Sequence, residues 1–379
     1  MNLPDYFDPV DFSQIKSNGY PQGKYSLGVA VEKDSTAISS SALTKMDVAL
    51  IGVPFENGQW QKKNNSAPDN IRKALYRLAA INSKLHITDL GNLKPGTSTR
   101  GTFLALRYAV EYLLETDVIP VIVGGSQDLT LGICEAFQNK PFFWFSTIDA
   151  VPDVKKGVEP FHSGNYLTRL FKAQTNLFQF SLIGYQNHLA GEKLMEKLKG
   201  LGGHIRLGQL RDNIQQAELI LRSSDVLSFD MGALKYTEAP STHQKNPNGL
   251  RGEEACQLAR YAGLGQQMKA FGLFGAKPGA ENCITYSLAA EIIWYFLEGV
   301  SCRRQSKKRT VYKVQIDGLD HPVVFLHEPN TDRWWFKVQS IHGETIEIAC
   351  SKEEYNQAAD NEIPERWLKF VQKMDSLSK

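Results

Sequence analysis

Three aspartates that follow predicted strands are the residues best suited to chemistry. Asp149 and Asp153 lie four residues apart at the end of the apolar run 140–150, and Asp230 lies in the run 226–232. Ligands of an open parallel sheet bind outside the carboxyl ends of its strands, so we expect these side chains at one edge. Three carboxylates suit a hard cation such as Mg²⁺ or Mn²⁺. Aspartates that only cap turns and helices would give the same pattern, and the residues alone leave both interpretations open.

The segments that must position these carboxylates alternate between short β-rich runs and longer segments with helical spacing. This alternation predicts an α/β fold of three layers, α/β/α, with a mostly parallel eight-stranded sheet between helices. The predicted strands are 47–54, 86–91, 117–125, 140–150, 176–185, 204–210, 226–232 and 269–275. The predicted helices are 69–80, 102–115, 191–199, 213–222, 252–262 and 287–298.

The pattern predicts four parts along the chain. They are an N-terminal arm at 1–45, the α/β/α domain at 46–302, a basic linker at 303–309 (RRQSKKR) and a small α+β appendage at 310–379. In the appendage, four short apolar runs separated by DG, PNTD and HG turns indicate antiparallel strands, and two helices follow at 351–359 and 364–374. Such small apolar faces rarely stand alone, so we expect the appendage to dock on its own or a neighbouring subunit.

Composition excludes several classes of function. The chain of 379 residues has 43 Lys and Arg against 41 Asp and Glu, and a net charge of +2 gives no field to hold nucleic acid. No apolar run is long enough for a membrane span, and the acidic start, MNLPDYFDPVDFSQ, is unlike a signal peptide. Five scattered cysteines without CxxC spacing indicate neither a disulfide framework nor a zinc site. We therefore expect a cytoplasmic protein without nucleic-acid or membrane partners.

Nine short motifs stand in the same order as in the arginase, agmatinase and formimidoylglutamase family of ureohydrolases, which the chain resembles over roughly residues 46–300. They are GVP at 52–54, SAP at 66–68 with IR at 71–72, DLG at 89–91, GG at 124–125 with Leu129 and Gly132, DAVPD at 149–153, HSGN at 162–165, SFD at 228–230, APST at 239–242, and GLRGEE at 249–254. No single motif is specific, and their order carries the resemblance. The resemblance implies a homo-oligomer, a trimer or a hexamer.

That family hydrolyses linear amidines with a hydroxide bridged by two Mn²⁺ ions, which two histidines and four aspartates hold. The resemblance keeps three of these six ligands, Asp149, Asp153 and Asp230. The other three ligand positions fall on Gln127, Val151 and Gly232, in place of histidine, histidine and aspartate. The pocket positions implied by the family are Ser126, His162, Ser163, Asn165 and Gly275, the last where a carboxylate would meet the substrate cation.

These replacements predict a degraded metal centre. Even the loss of a hydrogen-bond partner of a metal ligand lowers affinity about 10 to 100-fold, so a position without both terminal ligands should not retain its ion. We therefore expect no ion or one weakly bound divalent ion, Mn or Mg, and a non-catalytic homologue with a scaffold or binding role. That role could involve a protein partner bound through the appendage.

Two alternatives stay open. The chain could be an active formimidoylglutamase-like hydrolase with one metal or a rearranged site, in which His162 or His188 replaces a lost ligand. It could also use the pocket to sense an amidine or an amino acid.

Overall fold

The structure of the protein is a computed structural model that describes residues 3–10, 25–33, 45–56, 58–61, 66–81, 85–96, 98–155, 159–279, 283–303, 308–339 and 345–377. It contains two compact units, Met1–Ser301 and Cys302–Lys379. The turn predicted at 342–343 and most of the basic linker lie outside the described residues.

A nine-stranded sheet forms the centre of the first unit. Its strands are β1 (Phe7–Asp8), β2 (Val48–Gly52), β5 (Ile87–Leu93), β6 (Ile119–Val123), β7 (Phe143–Ile148), β8 (Leu177–Tyr185), β9 (His204–Arg206), β10 (Val226–Asp230) and β11 (Ala270–Phe274). The strand order is β1-β5-β2-β6-β11-β10-β7-β8-β9. Every neighbouring pair is parallel except β1 with β5. A separate hairpin of β3 (Phe55–Glu56) and β4 (Gln59–Trp60) follows β2.

Helices cover both faces of this sheet. They are α1 (Leu27–Ala30), α2 (Ala67–Leu75), α3 (Thr99–Glu115), α4 (Thr130–Glu135), α5 (Tyr166–Ala173), α6 (Glu192–Lys199), α7 (Leu207–Asp212), α8 (Gln215–Arg222), α9 (Gly252–Leu264) and α10 (Ile284–Cys302). Alternate residues of β2 enter opposite cores: Val48 belongs to the core that includes side chains of α8, α9 and α10, whereas Ala49 belongs to the core that includes side chains of α3, α5 and α6. Successive strand side chains point to opposite faces, so both faces of a covered parallel strand are apolar.

The predicted three-layer α/β/α fold is confirmed, and the structure differs from the prediction in several short elements. The ninth strand, β1, comes from the predicted N-terminal arm and adds an antiparallel edge that is too short for a periodic signal. The strand predicted at 204–210 ends at Arg206, because the chain turns into α7 there. The helices α4 and α5 were not predicted, since they are short and almost fully apolar on the side that faces the core.

The second unit is the predicted small α+β structure. An antiparallel sheet contains β12 (Thr310–Val314), β13 (Val323–Glu328), β14 (Arg333–Gln339) and β15 (Thr345–Cys350) in sequence order. The helices α11 (Lys352–Ala359) and α12 (Glu365–Leu377) follow. Trp334 lies between the rings of His327 and Tyr355, at centroid distances of 4.2 and 4.6 Å. The unit therefore has an aromatic cluster between its sheet and α11. Across the described residues of both units, helices with the length and apolarity of a membrane span are absent.

Candidate functional site

Four neighbouring strands place the predicted site residues at one edge of the sheet. In the order β6, β11, β10, β7, the strands lead into Ser126, Gly275, Asp230 and Asp149. Parallel strands end at the same edge, so residues separated by more than 100 positions become neighbours. A backbone hydrogen bond joins two adjacent loops at this edge, because Gly275 N donates to the Gly125 carbonyl at 2.9 Å.

The three aspartates lie close enough to affect one another's ionisation. Asp149 is 1% exposed and Asp153 is 8% exposed. Burial raises the pKa of the Asp149 carboxyl well above its usual range, and the negative charges of Asp153 and Asp230 raise it further. Burial and the charge of Asp230 likewise raise the pKa of Asp153. Burial raises the pKa of Asp230 from 3.8 to about 6. Like charges that share a buried site resist simultaneous ionisation, so the cluster retains protons to a higher pH than isolated aspartates do, unless a cation replaces those protons.

Two oxygen atoms in this cluster lack a well-formed hydrogen bond among the described residues. Asp149 accepts a hydrogen bond from Val151 N through Oδ1 at 2.9 Å, whereas its Oδ2 makes no hydrogen bond of normal geometry, although the side chains of Gln127 and Asp153 interact with this carboxyl group. Gln127 donates through Nε2 to Thr147 Oγ1 at 3.1 Å, and its buried Oε1 is also without a partner. Unpaired buried acceptors are costly, so these two atoms are the best available contacts for a cation or an N–H donor.

The residues present do not fit a centre of two metal ions. Val151 has an alkyl side chain and Gly232 has none, so both terminal positions of the second ion lack a donor atom. Within the described ranges, no three His, Cys, Asp or Glu side chains are arranged so that they could together hold a metal ion. A single hard cation would have to draw Asp149, Asp153 and Asp230 closer together, with Gln127 as a neutral ligand. The donor set therefore provides no terminal ligand for a second ion.

His162 lies beside the cluster, but its ring nitrogens have other neighbours. Its Nδ1 accepts a hydrogen bond from Gly164 N at 3.0 Å, and its Nε2 lies 3.5 Å from Glu159 Oε2. Asn165 completes this turn by accepting from His162 N through Oδ1 at 3.0 Å. The residues from Ser163 to Asn165 form a single 3-10 turn at the start of α5.

The two histidines named as possible replacement ligands have these surroundings in the structure. His162 caps the turn before α5, and His188 is exposed on the loop after β8.

The other two predicted pocket residues have structural roles. Ser126 is buried, and its hydroxyl donates to the Asp128 carboxylate. Gly275 has φ +85°, and a Cβ atom there would lie 2.1 Å from Asp230 Oδ1. L residues rarely adopt this backbone conformation, so a carboxylate cannot occupy position 275 without moving both the backbone and Asp230.

Several side chains at the site were not predicted from the sequence. Tyr166 is fully buried behind the aspartates, and burial together with the charges of Asp149 and Asp153 raises the pKa of its hydroxyl. Gln244 and Asn246 lie against Gly232, and His243 pairs with Glu56 at the rim. The run of polar residues after the APST motif was the available signal for the first pair. The partnership with Glu56 joins residues 187 positions apart and has no local signal.

Comparisons with known proteins identify a family and several relatives that this chain resembles. The sequence profile of the Arginase family matches residues 46–298, more than half of the chain. A formimidoylglutamase of Salmonella paratyphi C (strain RKS4594) is 25% identical over 218 residues, covering 51% of this chain and 66% of that protein. One of Salmonella typhi is 24% identical over the same length, with the same coverage. The chain therefore spans just under two thirds of these relatives' length.

Solved structures share the fold of the first unit. Trypanosoma cruzi formiminoglutamase with Mn2+2 has a TM-score of 0.64 and 19% identity, covering 73% of this chain and 99% of that one. Formimidoylglutamase from Bacillus subtilis subsp. subtilis str. 168 has a TM-score of 0.63 and 19% identity, covering 76% and 95%. The agmatine ureohydrolase of Thermoplasma volcanium has a TM-score of 0.57 and 18% identity, covering 75% and 96%.

Proposed function

The chain belongs to the arginase family, and we propose that it is a non-catalytic member whose strand-end site serves binding rather than hydrolysis. In this proposal the site holds no ion or one weakly bound divalent ion, through Asp149, Asp153 and Asp230. Neighbours in the family include proteins named formimidoylglutamase and agmatine ureohydrolase. We do not extend the activities in those names to this chain.

The observation that carries the proposal is the loss of donor atoms at Val151 and Gly232 beside three carboxylates that remain. Two ions a few ångströms apart are needed to make a bridging hydroxide available near neutral pH in this chemistry. A site with ligands for one ion lacks that arrangement. The left-handed backbone at Gly275, which leaves no room for a carboxylate, also removes the expected anchor for a cationic substrate.

A binding role is favoured over a purely structural one by the two unpaired oxygens at the bottom of the site. Asp149 Oδ2 and Gln127 Oε1 are buried and make no hydrogen bond of normal geometry in the described part of the chain. A relic site under no functional demand would gain stability by losing such atoms, because an unsatisfied buried polar group costs about 1 to 3 kcal/mol. Their presence supports a ligand with a positive charge or N–H donors.

We expect no hydrolysis of arginine, agmatine, guanidinobutyrate or formiminoglutamate above background in the presence of added Mn²⁺. The reason is that neither a second ion nor a substrate anchor is provided. Release of urea, ammonia or formamide would be measured beside a Mn²⁺-loaded formimidoylglutamase as the positive control. Turnover near 1 s⁻¹, an ordinary rate for an enzyme, that disappears in Asp149→Ala would overturn the proposal.

A further inference from the structure

Gln244 fills the space beside Gly232. A Cβ atom at position 232 would lie 3.1 Å from Gln244 Cδ and 3.2 Å from Gln244 Cγ. It would also lie 3.1 Å from Asp230 Oδ2. An aspartate side chain extends two bonds further than Cβ, so it cannot enter this space while Gln244 stays in place. The missing ligand has therefore been replaced by a side chain from a different segment.

Asn246 fixes which end of the Gln244 amide is engaged. Asn246 Nδ2 donates to the Gly232 carbonyl at 3.1 Å, and a carbonyl can only accept, so this end of Asn246 must be the nitrogen. The same Nδ2 donates to Gln244 Oε1 at 2.9 Å. The end of the Gln244 amide that is left is Nε2, a donor. A donor cannot coordinate a cation.

The backbone around Gln244 is also held in place. The buried Thr242 hydroxyl bonds to the Gln244 carbonyl at 2.9 Å and to the Ala239 carbonyl at 3.0 Å. Thr242 also forms a β-bridge with Ala276, which lies next to Gly275 after β11. Gln244 is thus attached to the same sheet edge as Asp230, and its position is not that of a free surface loop.

We propose that Gln244, oriented by Asn246, is the fixed internal occupant of the second cation position and excludes a second ion from this site. The inference rests on the proposed non-catalytic function, since it names the residue that keeps the site to one ion at most. If ligand loss alone kept the second ion out, restoring the ligands would be enough to bind it. Restoring donors at positions 151 and 232 leaves the second position closed as long as Gln244 is present.

The metal-binding test compares Val151→His/Gly232→Asp with the same variant carrying Gln244→Ala. Mn²⁺ binding is measured by titration calorimetry and by electron paramagnetic resonance, in which two neighbouring Mn²⁺ ions couple. We expect at most one ion per chain in the double variant and two in the triple variant. The matched control carries Gln216→Ala, at an exposed position of α8, instead of Gln244→Ala. It should bind the same number of Mn²⁺ ions per chain as the double variant. Two ions in the double variant, or no gain in the triple variant, would overturn the assignment.

A second test needs no metal and stays informative if Gly232→Asp impairs folding. Melting temperatures are measured in chelator for Gly232→Asp, Gln244→Ala and the two combined. Gly232→Asp should lower the melting temperature of the native chain, and most of that loss should disappear when Gln244→Ala is present. Failure of Gly232→Asp to fold, with recovery by Gln244→Ala, is the stronger form of the same result. An equal loss in both backgrounds would refute the steric claim, whatever the protein's activity proves to be.

Discussion

The affinity of the strand-end site for Mn²⁺ is expected to rise at least about tenfold between pH 5 and pH 7, the interval that brackets the pKa of Asp230. A cation binds the ionised carboxylates, so binding releases the protons that the cation-free cluster holds. The pKa of Asp230 is raised to about 6, and those of Asp149 and Asp153 are also raised. Raised carboxyl pKa values mean that protons compete with the cation at low pH and cease to compete as pH rises. Each proton released makes affinity rise about tenfold per pH unit while that group titrates.

Titration calorimetry in two buffers of different ionisation enthalpy would measure both the affinity and the number of protons released. Asp230→Asn should weaken binding and reduce the pH dependence, because one titrating ligand is gone. The matched control is Asp212→Asn, at an exposed position at the end of α7. An affinity that is constant between pH 5 and pH 7 would contradict the clustered arrangement of the carboxylates.

The second large effect concerns Asp149→Asn, which should act in opposite directions on metal binding and on stability. The substitution removes a ligand, and we expect Mn²⁺ affinity to fall about 100-fold or more. Without metal, it should stabilise the fold above neutral pH by about 1 to 3 kcal/mol, because it removes a buried charge with an unpaired oxygen. The folded pKa of Asp149 is raised above its unfolded value, so the native protein loses stability as pH rises through the folded pKa.

Chemical unfolding in chelator at pH 5 and pH 8 would measure this effect. The stability of the native chain should fall between these two values more steeply than that of Asp149→Asn. Asp212→Asn again serves as the control and should leave the difference between the two pH values unchanged. A lower free energy of unfolding for Asp149→Asn than for the native chain, in chelator at pH 8, would contradict this expectation. It would mean that the buried Asp149 carboxyl stabilises the fold.

The sheet edge could be predicted from the sequence because its determinants are local. Each strand is a short apolar run that ends in a distinctive turn, and parallel strands must bring those turns together. Asp149, Asp153 and Asp230 lie near one another for this reason. The replacements at Gln127, Val151 and Gly232 were visible for the same reason, since the motif positions around them are retained.

What filled the vacated position could not be predicted, because it depends on side-chain packing between distant segments. Gln244 belongs to a loop whose path is fixed by hydrogen bonds of Thr242 and Asn246. Nothing in its spacing distinguishes it from a solvent-exposed residue. His162 is the converse case, since its residue type suggested a ligand but its ring caps the turn before α5. The cytoplasmic location, the oligomeric state and a partner for the appendage stay predictions.

Whether the strand-end site holds more than one ion is measured most directly by the Mn²⁺ content of the full chain. The protein is purified without chelator and dialysed against a slight excess of Mn²⁺. Inductively coupled plasma mass spectrometry gives ions per chain, and Asp149→Asn is the reference for non-specific binding. We expect no more than one ion per native chain, removable by brief exposure to chelator. Two tightly held ions per chain would contradict this expectation, because they would require ligands that Val151 and Gly232 cannot supply.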